Sequence, residues 1–154
     1  MEKAYSIHSI QNYEAKVLEH HAPEALLDAA SSALYTVCTQ EIKTKQRIVL
    51  VCGTGHNGAD GLSLAVKLKN NGYSTAIILM ETGRAMKPLT SDAADIARKA
   101  DIPLVGLDAL DHADVIIDAI LGIGFSGKLD RLTKGVIKCI NQSKGRVLSI
   151  DVPS

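Results

Sequence analysis

The stretch that decides the fold runs from Ile48 to Gly72 and reads IVLVCGTGHNGADGLSLAVKLKNNG. Residues 48–51 are apolar and rich in β-branched side chains, which predicts a buried strand. A glycine-rich turn follows over 53–61, and apolar residues then recur at helical spacing until Gly72, which suits a C-terminal helix cap. A glycine-rich turn between a strand and a helix directs free backbone N–H groups at one point. The stretch therefore predicts a site for phosphate or another anion.

The glycines of this turn allow more than one interpretation. Gly53, Gly55 and Gly58 match the G-x-G-x-x-G pattern of dinucleotide-binding proteins, and Glu81 after the next predicted strand suits a ribose-binding acid. An ordinary dehydrogenase is one interpretation, and a turn whose glycines serve only tight packing is another. Asp60 argues against the dehydrogenase, because its carboxylate would repel a pyrophosphate unless a cation or a donor-rich ligand group lies between them. The turn is also not a P-loop, since no Lys-Ser or Lys-Thr pair follows the glycines.

Composition indicates one globular domain in a reducing compartment. The chain has 154 residues, 46% hydrophobic and 22% charged, with a formal net charge of zero. No basic block favours nucleic acid, and no apolar run approaches membrane-spanning length. Cys38, Cys52 and Cys139 are scattered, which predicts reduced thiols rather than a disulfide framework or a zinc site. The N-terminus lacks the apolar core of a signal peptide, so we expect a cytoplasmic protein.

Strands alternate with helices along the chain. Helices are predicted over residues 9–20 with Ser9 as the cap, from Pro23, after the glycine-rich turn, from a cap at Ser91, and over about 130–142. Strands are predicted over 48–51, 75–80, 102–105, 114–118 and 146–151. This alternation predicts a parallel sheet with helices on both faces. The carboxyl ends of the strands then lie at one edge, where such sheets bind ligands.

Three polar clusters follow predicted strands, over residues 57–60, 118–128 and 151–154. Each alone could be structural, because an Asp at a strand end often caps the next helix. Together, two of them with glycine-rich backbones, they favour a ligand crevice. Lys128 is either solvated surface, the default for a lysine, or a phosphate contact beside a glycine-rich loop.

The motifs in these clusters resemble those of the YjeF N-terminal domain family, which includes NAD(P)H-hydrate epimerase. Residues 53–61, GTGHNGADG, are similar to the signature G-x-G-N-N-G-G-D-G. Residues 118–124, DAILGIG, resemble D-A-L-F-G-T-G, and residues 150–154, IDVPS, resemble D-I-P-S-G. Residues 26–30, LLDAA, are similar to an L-M-E-x-A pattern. The resemblance covers essentially the whole chain, with its motifs in order.

The resemblance implies a Rossmann-like, three-layer αβα sandwich with a mostly parallel sheet. It also implies an enzyme that interconverts the R and S forms of hydrated NADH and NADPH (NADHX and NADPHX), so that a stereospecific dehydratase can restore the cofactor. The family pattern implies substrate contacts at Asp151 and on two loops. These loops contain His56, Asn57, Gly58, Ala59 and Asp60, and Gly122, Ile123, Gly124, Phe125, Ser126, Gly127 and Lys128. The pattern further implies a potassium ion on Asn57, Asp118 and Ser154.

Asp151 is the first candidate for acid–base catalysis, and Asp60 is the second. The hydrate has a hydroxyl group on a ring carbon next to nitrogen. Inverting that centre needs the hydroxyl to leave and return on the other face, or the ring to open and close. Either path needs proton transfers at a fixed position.

The chain departs from the family pattern at His56, which replaces an Asn, and at Ala59, which replaces a glycine. If that glycine has a positive φ, Ala59 costs roughly 1 kcal/mol or shifts the loop. These two changes support an alternative, a non-catalytic nucleotide-binding or protein-interaction module of the same fold.

The length of the chain also departs from the family pattern, which continues past its last motif with a glycine and further strands. We therefore expect residues 1–154 to be this domain truncated at its C-terminus, which leaves the last strand as a sheet edge. We also expect a homo-oligomer, and a fused or separate ADP- or ATP-dependent NAD(P)H-hydrate dehydratase as a partner.

Overall fold

The computed structural model describes residues 6–80 and 85–154, which form a four-stranded sheet between two layers of helices. The elements in chain order are α1 (Ile7–Leu18), α2 (Pro23–Glu41), β1 (Arg47–Cys52), α3 (His56–Asn70), β2 (Ser74–Leu79), α4 (Pro88–Lys99), a 3-10 helix (Leu107–His112), β3 (Val115–Ala119), α5 (Arg131–Gln142) and β4 (Arg146–Ser149). All strand pairs are parallel, in the order β2-β1-β3-β4. The predicted αβα arrangement is confirmed. None of the helices in the described ranges has the length and apolar composition of a membrane span.

The sheet is held between two apolar layers. Leu50 of β1 packs in a cluster with Leu62 of α3, on the face that α2, α3 and α4 cover. Val51, the next residue of β1, points to the other face and packs in a cluster with Val136 of α5. Because both faces of the central strands are buried, the helices hold the sheet in place. Because all the strands are parallel, their carboxyl ends lie at one edge of this sheet.

Two helices begin at different residues from those predicted. The Oγ of Ser6 accepts a hydrogen bond from the N–H of Ser9 (3.1 Å), so Ser6 rather than Ser9 is the N-cap of α1. Helix α4 begins at Pro88 after Lys87, and Ser91 lies inside the helix instead of capping it. Proline favours the first helical position because its φ is already helical and its missing N–H has no partner there.

Residues 102–105 form a single parallel bridge to β2 rather than the predicted strand. The N–H of Ile77 donates to the carbonyl of Pro103, and the N–H of Val105 donates to the carbonyl of Ile77, both at 2.9 Å. Extending this ladder toward the start of β2 would require an N–H from residue 103 to the carbonyl of residue 75. Pro103 has no N–H, so the pairing cannot extend in that direction.

The glycine-rich turn is shorter than predicted, because α3 already begins at His56 with Gly55 as its N-cap. A Cβ on Gly58 would overlap the carbonyl oxygen of Gly53, and a Cβ on Gly53 would overlap that of Ile120. The end of β1, the start of α3 and the loop after β3 therefore pack backbone to backbone. These close approaches explain why the sequence has glycine at both positions.

Ala59 lies inside α3 and is fully buried. Among the described non-glycine residues, only Asp101 and Asp151 have a positive φ. The penalty expected for Ala59 on the assumption of a positive φ therefore does not apply. Within a helix, alanine is instead favoured over glycine by roughly 1 kcal/mol.

The cysteines are free, as the sequence predicted. Cys38 and Cys52 are buried, and burial raises the pKa of both thiols. A raised pKa keeps a thiol protonated and unreactive at neutral pH. Both residues therefore act as small apolar side chains of the core.

We expect Gly58→Ala to lower the free energy of unfolding by about 1–3 kcal/mol, because the new methyl group would force α3 away from the end of β1. Gly55→Ser is the matched control, since a Cβ there meets nothing within 4 Å and serine is a good N-cap. Urea denaturation measures both variants. Equal unfolding free energies would show that the close backbone approach at Gly58 is not required.

Candidate active site

A cavity of about 500 Å³ opens at the carboxyl edge of the sheet. Its described walls are formed by the turn after β1, the start of α3, the loop after β3 and the segments at the starts of α4 and α5. Ile10 of α1 and Asp151, which follows β4, complete them. Among the described residues, the polar and charged side chains in these walls are Thr54, His56, Asn57, Asp60, Lys87, Asp130, Thr133 and Asp151. The cavity therefore lies where the sequence predicted a ligand crevice.

The cavity walls contain many of the residues that the sequence suggested. They include His56, Asn57, Asp60, Gly122, Ile123, Gly124, Phe125 and Asp151. Gly58 and Ala59 are buried in α3, and Asp118 and Ser154 lie behind the wall. Ser126, Gly127 and Lys128 are exposed and lie outside the walls that the described residues form. Glu81, the possible ribose-binding acid, lies outside the described residues.

Asp118 is a buried carboxylate, only 4% exposed, at the end of β3. One oxygen, Oδ1, accepts a hydrogen bond from the N–H of Ile120 (3.2 Å). The other, Oδ2, accepts from the N–H of Ser154 (2.9 Å) and from the hydroxyl of Ser149 (3.4 Å). No lysine, arginine or histidine in the described ranges forms an ion pair with it. Asp118 thus joins the loop after β3 to the segment after β4 through uncharged donors alone.

Ser154 and Asn57 extend this network to the third motif. The Oγ of Ser154 accepts a hydrogen bond from the N–H of Leu121 (3.1 Å). The carbonyl of Leu121 accepts from Nδ2 of Asn57 at 2.6 Å, and the carbonyl of Ile150 lies 3.4 Å from the same nitrogen. Hydrogen bonds directly behind the cavity wall therefore connect all three motif segments.

Asp151 has a strained backbone at the cavity wall. Its φ of 69° is in the left-handed region, which costs a non-glycine residue about 1–2 kcal/mol. Its Oδ2 accepts a hydrogen bond from the N–H of Ile123 at 2.7 Å. A Cβ on Gly122 would lie 2.6 Å from that oxygen, so only glycine there permits the close approach. A strained residue whose surroundings fix its conformation is typical of a functional site.

His56 and Asp60 lie one turn apart at the start of α3, and both line the cavity. His56 is exposed and Asp60 is half-buried. Residues four apart on a helix share a face, so both side chains belong to the same wall. The two side chains thus place an imidazole and a carboxylate in one wall of the cavity.

The sequence did not identify three of the polar residues in the described walls, Lys87, Asp130 and Thr133. The Oδ1 of Asp130 accepts from the N–H of Thr133 (2.7 Å), and its Oδ2 accepts from the Thr133 hydroxyl (2.9 Å). Asp130 is therefore the N-cap of α5, a role that the Asp-x-x-Thr spacing could have indicated. The position of Lys87 depends on how α4 packs, and no local pattern indicates it.

Residues 23–154 match the family model described as YjeF-related protein N-terminus. The chain belongs to this family. This YjeF-related chain is 40% identical over 114 residues to the bifunctional NAD(P)H-hydrate repair enzyme Nnr of Synechocystis sp., covering 73% of the chain but only 21% of that enzyme. It is 31% identical over 157 residues to the NAD(P)H-hydrate epimerase of Levilactobacillus brevis, covering 100% of the chain and 73% of the relative.

The fold of the family is also present in a solved structure. The crystal structure of yeast ynu0 superposes with a TM-score of 0.86 at 19% sequence identity. The match covers 99% of this chain and 71% of the yeast chain. At this level of identity the comparison shows the shared fold.

We expect Asp118→Asn to destabilise the YjeF-related chain by about 1–3 kcal/mol, because asparagine retains one acceptor oxygen and turns an NH₂ group toward existing donors. The matched control is Asp111→Asn, at an exposed residue of the 3-10 helix. Urea denaturation of both variants measures the difference. If Asp118→Asn is as stable as the control, the carboxylate is not the acceptor that holds the segments together.

Proposed function

We propose that this chain epimerises the R and S forms of NADHX and NADPHX. The observation that supports this proposal most directly is Asp151, whose carboxylate is fixed at the cavity wall by a strained backbone and the N–H of Ile123. Relatives named NAD(P)H-hydrate epimerase and bifunctional NAD(P)H-hydrate repair enzyme support the reaction class.

In the proposed mechanism, Asp151 moves the proton that inversion requires. The hydroxyl-bearing ring carbon must lose and regain its hydroxyl, or the ring must open and close, and each path needs an acid and a base at a fixed position. The Ile123 N–H engages Oδ2 of Asp151, whereas Oδ1 has no hydrogen-bond partner among the described residues. Oδ1 is therefore the oxygen that we assign to proton transfer. The backbone at Gly122 and Ile123 forms the adjacent wall.

Asp60 is the second polar group that we assign to the substrate. It lies in the α3 wall, and the start of this helix offers a positive dipole end for the anionic part of a nucleotide. A carboxylate in that wall suits a hydroxyl or amide donor of the ligand. The α3 wall can thus contact both a phosphate and a neutral polar group.

The oxygen atoms beside and behind the cavity wall fit a potassium ion. Asp118 supplies a buried carboxylate without a basic partner among the described residues, and Ser154 supplies a hydroxyl. The carbonyl oxygens of Leu121 and Ile150 both approach the side-chain amide of Asn57. Rotation of that amide exchanges its nitrogen and oxygen, so Asn57 can also present an oxygen.

The chemistry of this donor set favours potassium over other metals. All the candidate ligand atoms are oxygens, which argues against zinc and copper. A single carboxylate is too few for a tight calcium site. When bound, the ion would supply positive charge beside Asp118 and the substrate phosphates.

The wider setting of the reaction is also a proposal. Relatives named as bifunctional repair enzymes support a fused or separate dehydratase that consumes the product. We further propose a homo-oligomer in the reducing cytoplasm. Of the two features that favoured a non-catalytic module, Ala59 no longer supports it, because its helical backbone leaves the turn undistorted.

We expect Asp151→Asn to lower kcat for epimerisation by about 10²–10⁴-fold while KM changes little, because the amide keeps the shape but cannot transfer the proton. Asp101→Asn is the matched control, since Asp101 is an exposed aspartate with a positive φ (53°) outside the cavity. Chiral chromatography of the hydrates gives both constants. Normal turnover with weakened binding would assign Asp151 to positioning and refute its role in proton transfer.

We expect activity and Tm to fall when potassium is replaced by a bulky organic cation, because the Asp118 carboxylate loses its counter-charge. Thermal melts and initial rates in matched chloride buffers measure both effects. The Asp118→Asn variant should show a much smaller difference between the buffers. If the wild-type chain is indifferent to the exchange in both measurements, the potassium proposal fails.

A further inference from the structure

Lys87 is fixed at the junction of the glycine-rich turn and α4. Its backbone N–H donates to the carbonyl of Thr54 (3.1 Å), and its carbonyl accepts from the N–H of Ser91 (2.9 Å). Pro88, the first residue of α4, limits the backbone further. Hydrogen bonds on both sides thus hold the lysine backbone beside the cavity, although the side chain itself is exposed.

A second contact ties the same two elements together. Thr90 is fully buried, and its hydroxyl donates to the carbonyl of Gly55, the N-cap of α3, at 3.0 Å. The start of α4 therefore cannot move away from the start of α3 without leaving a buried hydroxyl unpaired, which is costly. Lys87 is consequently held on the side of the cavity that the glycine-rich turn forms.

The charges in the cavity walls indicate that this lysine would affect the binding of an anionic ligand. Among the residues that the structure describes, three carboxylates line the walls, those of Asp60, Asp130 and Asp151. Among the described wall residues, Lys87 is the only lysine or arginine, and it forms no ion pair with another described residue. An anionic nucleotide entering this cavity would meet mainly negative charge unless a cation contacts its phosphates.

We propose that Lys87 is the phosphate anchor of the site, with its ammonium group paired to the pyrophosphate of a nicotinamide dinucleotide. The inference rests on the proposed function for the identity of the substrate. It assigns the anchor to Lys87 instead of Lys128, which is exposed outside the cavity walls and follows Gly127 (φ 109°). Lys87 binds and orients the substrate and takes no part in the proton transfer.

The test measures binding of ADP-ribose, which has the pyrophosphate and lacks the nicotinamide ring. By calorimetry, Lys87→Met should weaken binding by about 10- to 100-fold, the usual value of a hydrogen bond to a charged group. Lys87→Arg should retain most of the affinity. The affinity of the wild-type chain should also fall more steeply with salt than that of Lys87→Met. In the hydrate assay, Lys87→Met should raise KM by a similar factor and leave kcat nearly unchanged.

Two further lysine variants control the measurement. Lys99→Met, at the opposite end of α4, removes an exposed charge outside the cavity and should leave ADP-ribose affinity unchanged. Lys128→Met tests the rival anchor. The proposal is overturned if Lys128→Met weakens binding while Lys87→Met does not, if Lys99→Met matches Lys87→Met, or if the wild-type chain does not bind ADP-ribose.

The outcomes also separate this proposal from the proposed function. A wild-type chain that binds ADP-ribose through Lys87 but does not interconvert the hydrates refutes the epimerase and retains the anchor. An active epimerase whose KM is the same in Lys87→Met refutes the anchor and retains the epimerase.

Discussion

The structure of the site depends on one buried carboxylate, that of Asp118. A buried carboxylate is costly unless donors satisfy it, and here the donors come from the loop after β3 and the segment after β4. The cost of burying this charge is therefore offset only when both segments are in place. Ser154 and Asn57 then extend the network to the start of α3. This dependence explains how three motifs distant in the sequence form one cavity.

The same residue, through its backbone carbonyl and its carboxylate, explains how Asp151 can remain strained. On one side of it, the N–H of Ile150 donates to the backbone carbonyl of Asp118 at 2.9 Å. On the other side, the N–H of Ser154 donates to the Asp118 carboxylate. With both flanks attached to Asp118, the chain between them has little freedom to relax, and the left-handed φ of Asp151 persists. The stability of the network thus holds the Asp151 side chain in place at the cavity wall.

The sequence predicted the features that local patterns determine. The apolar run of β1, the glycines of the turn and the alternation of strands and helices follow from periodicity and backbone sterics, and the structure confirms them. Features set by tertiary packing were not predictable. Lys87 reaches the cavity because a buried threonine fixes α4 against α3, and no motif encodes that contact.

Some predictions from local sequence were also wrong, because two signals in the same stretch favour different structures. Pro103 suits the start of a strand but also removes the N–H that the next ladder bond needs. Helix α4 begins at Pro88 and is not capped by Ser91, because the φ of proline is already helical. Lys128, for which the sequence left open solvated surface or a phosphate contact, is exposed and lies outside the cavity walls that the described residues form.

The most direct test of the central claim follows the stereochemistry of the substrate. The wild-type chain is incubated separately with pure S and pure R hydrate of NADH, in potassium buffer, and both forms are resolved by chromatography over time. If the cavity is an epimerase site, both samples reach the same mixture of forms, at a rate proportional to protein concentration and above the spontaneous rate. If each hydrate interconverts only at its spontaneous rate, while the chain is folded and binds nucleotide, the cavity is a binding site and the epimerase assignment is wrong.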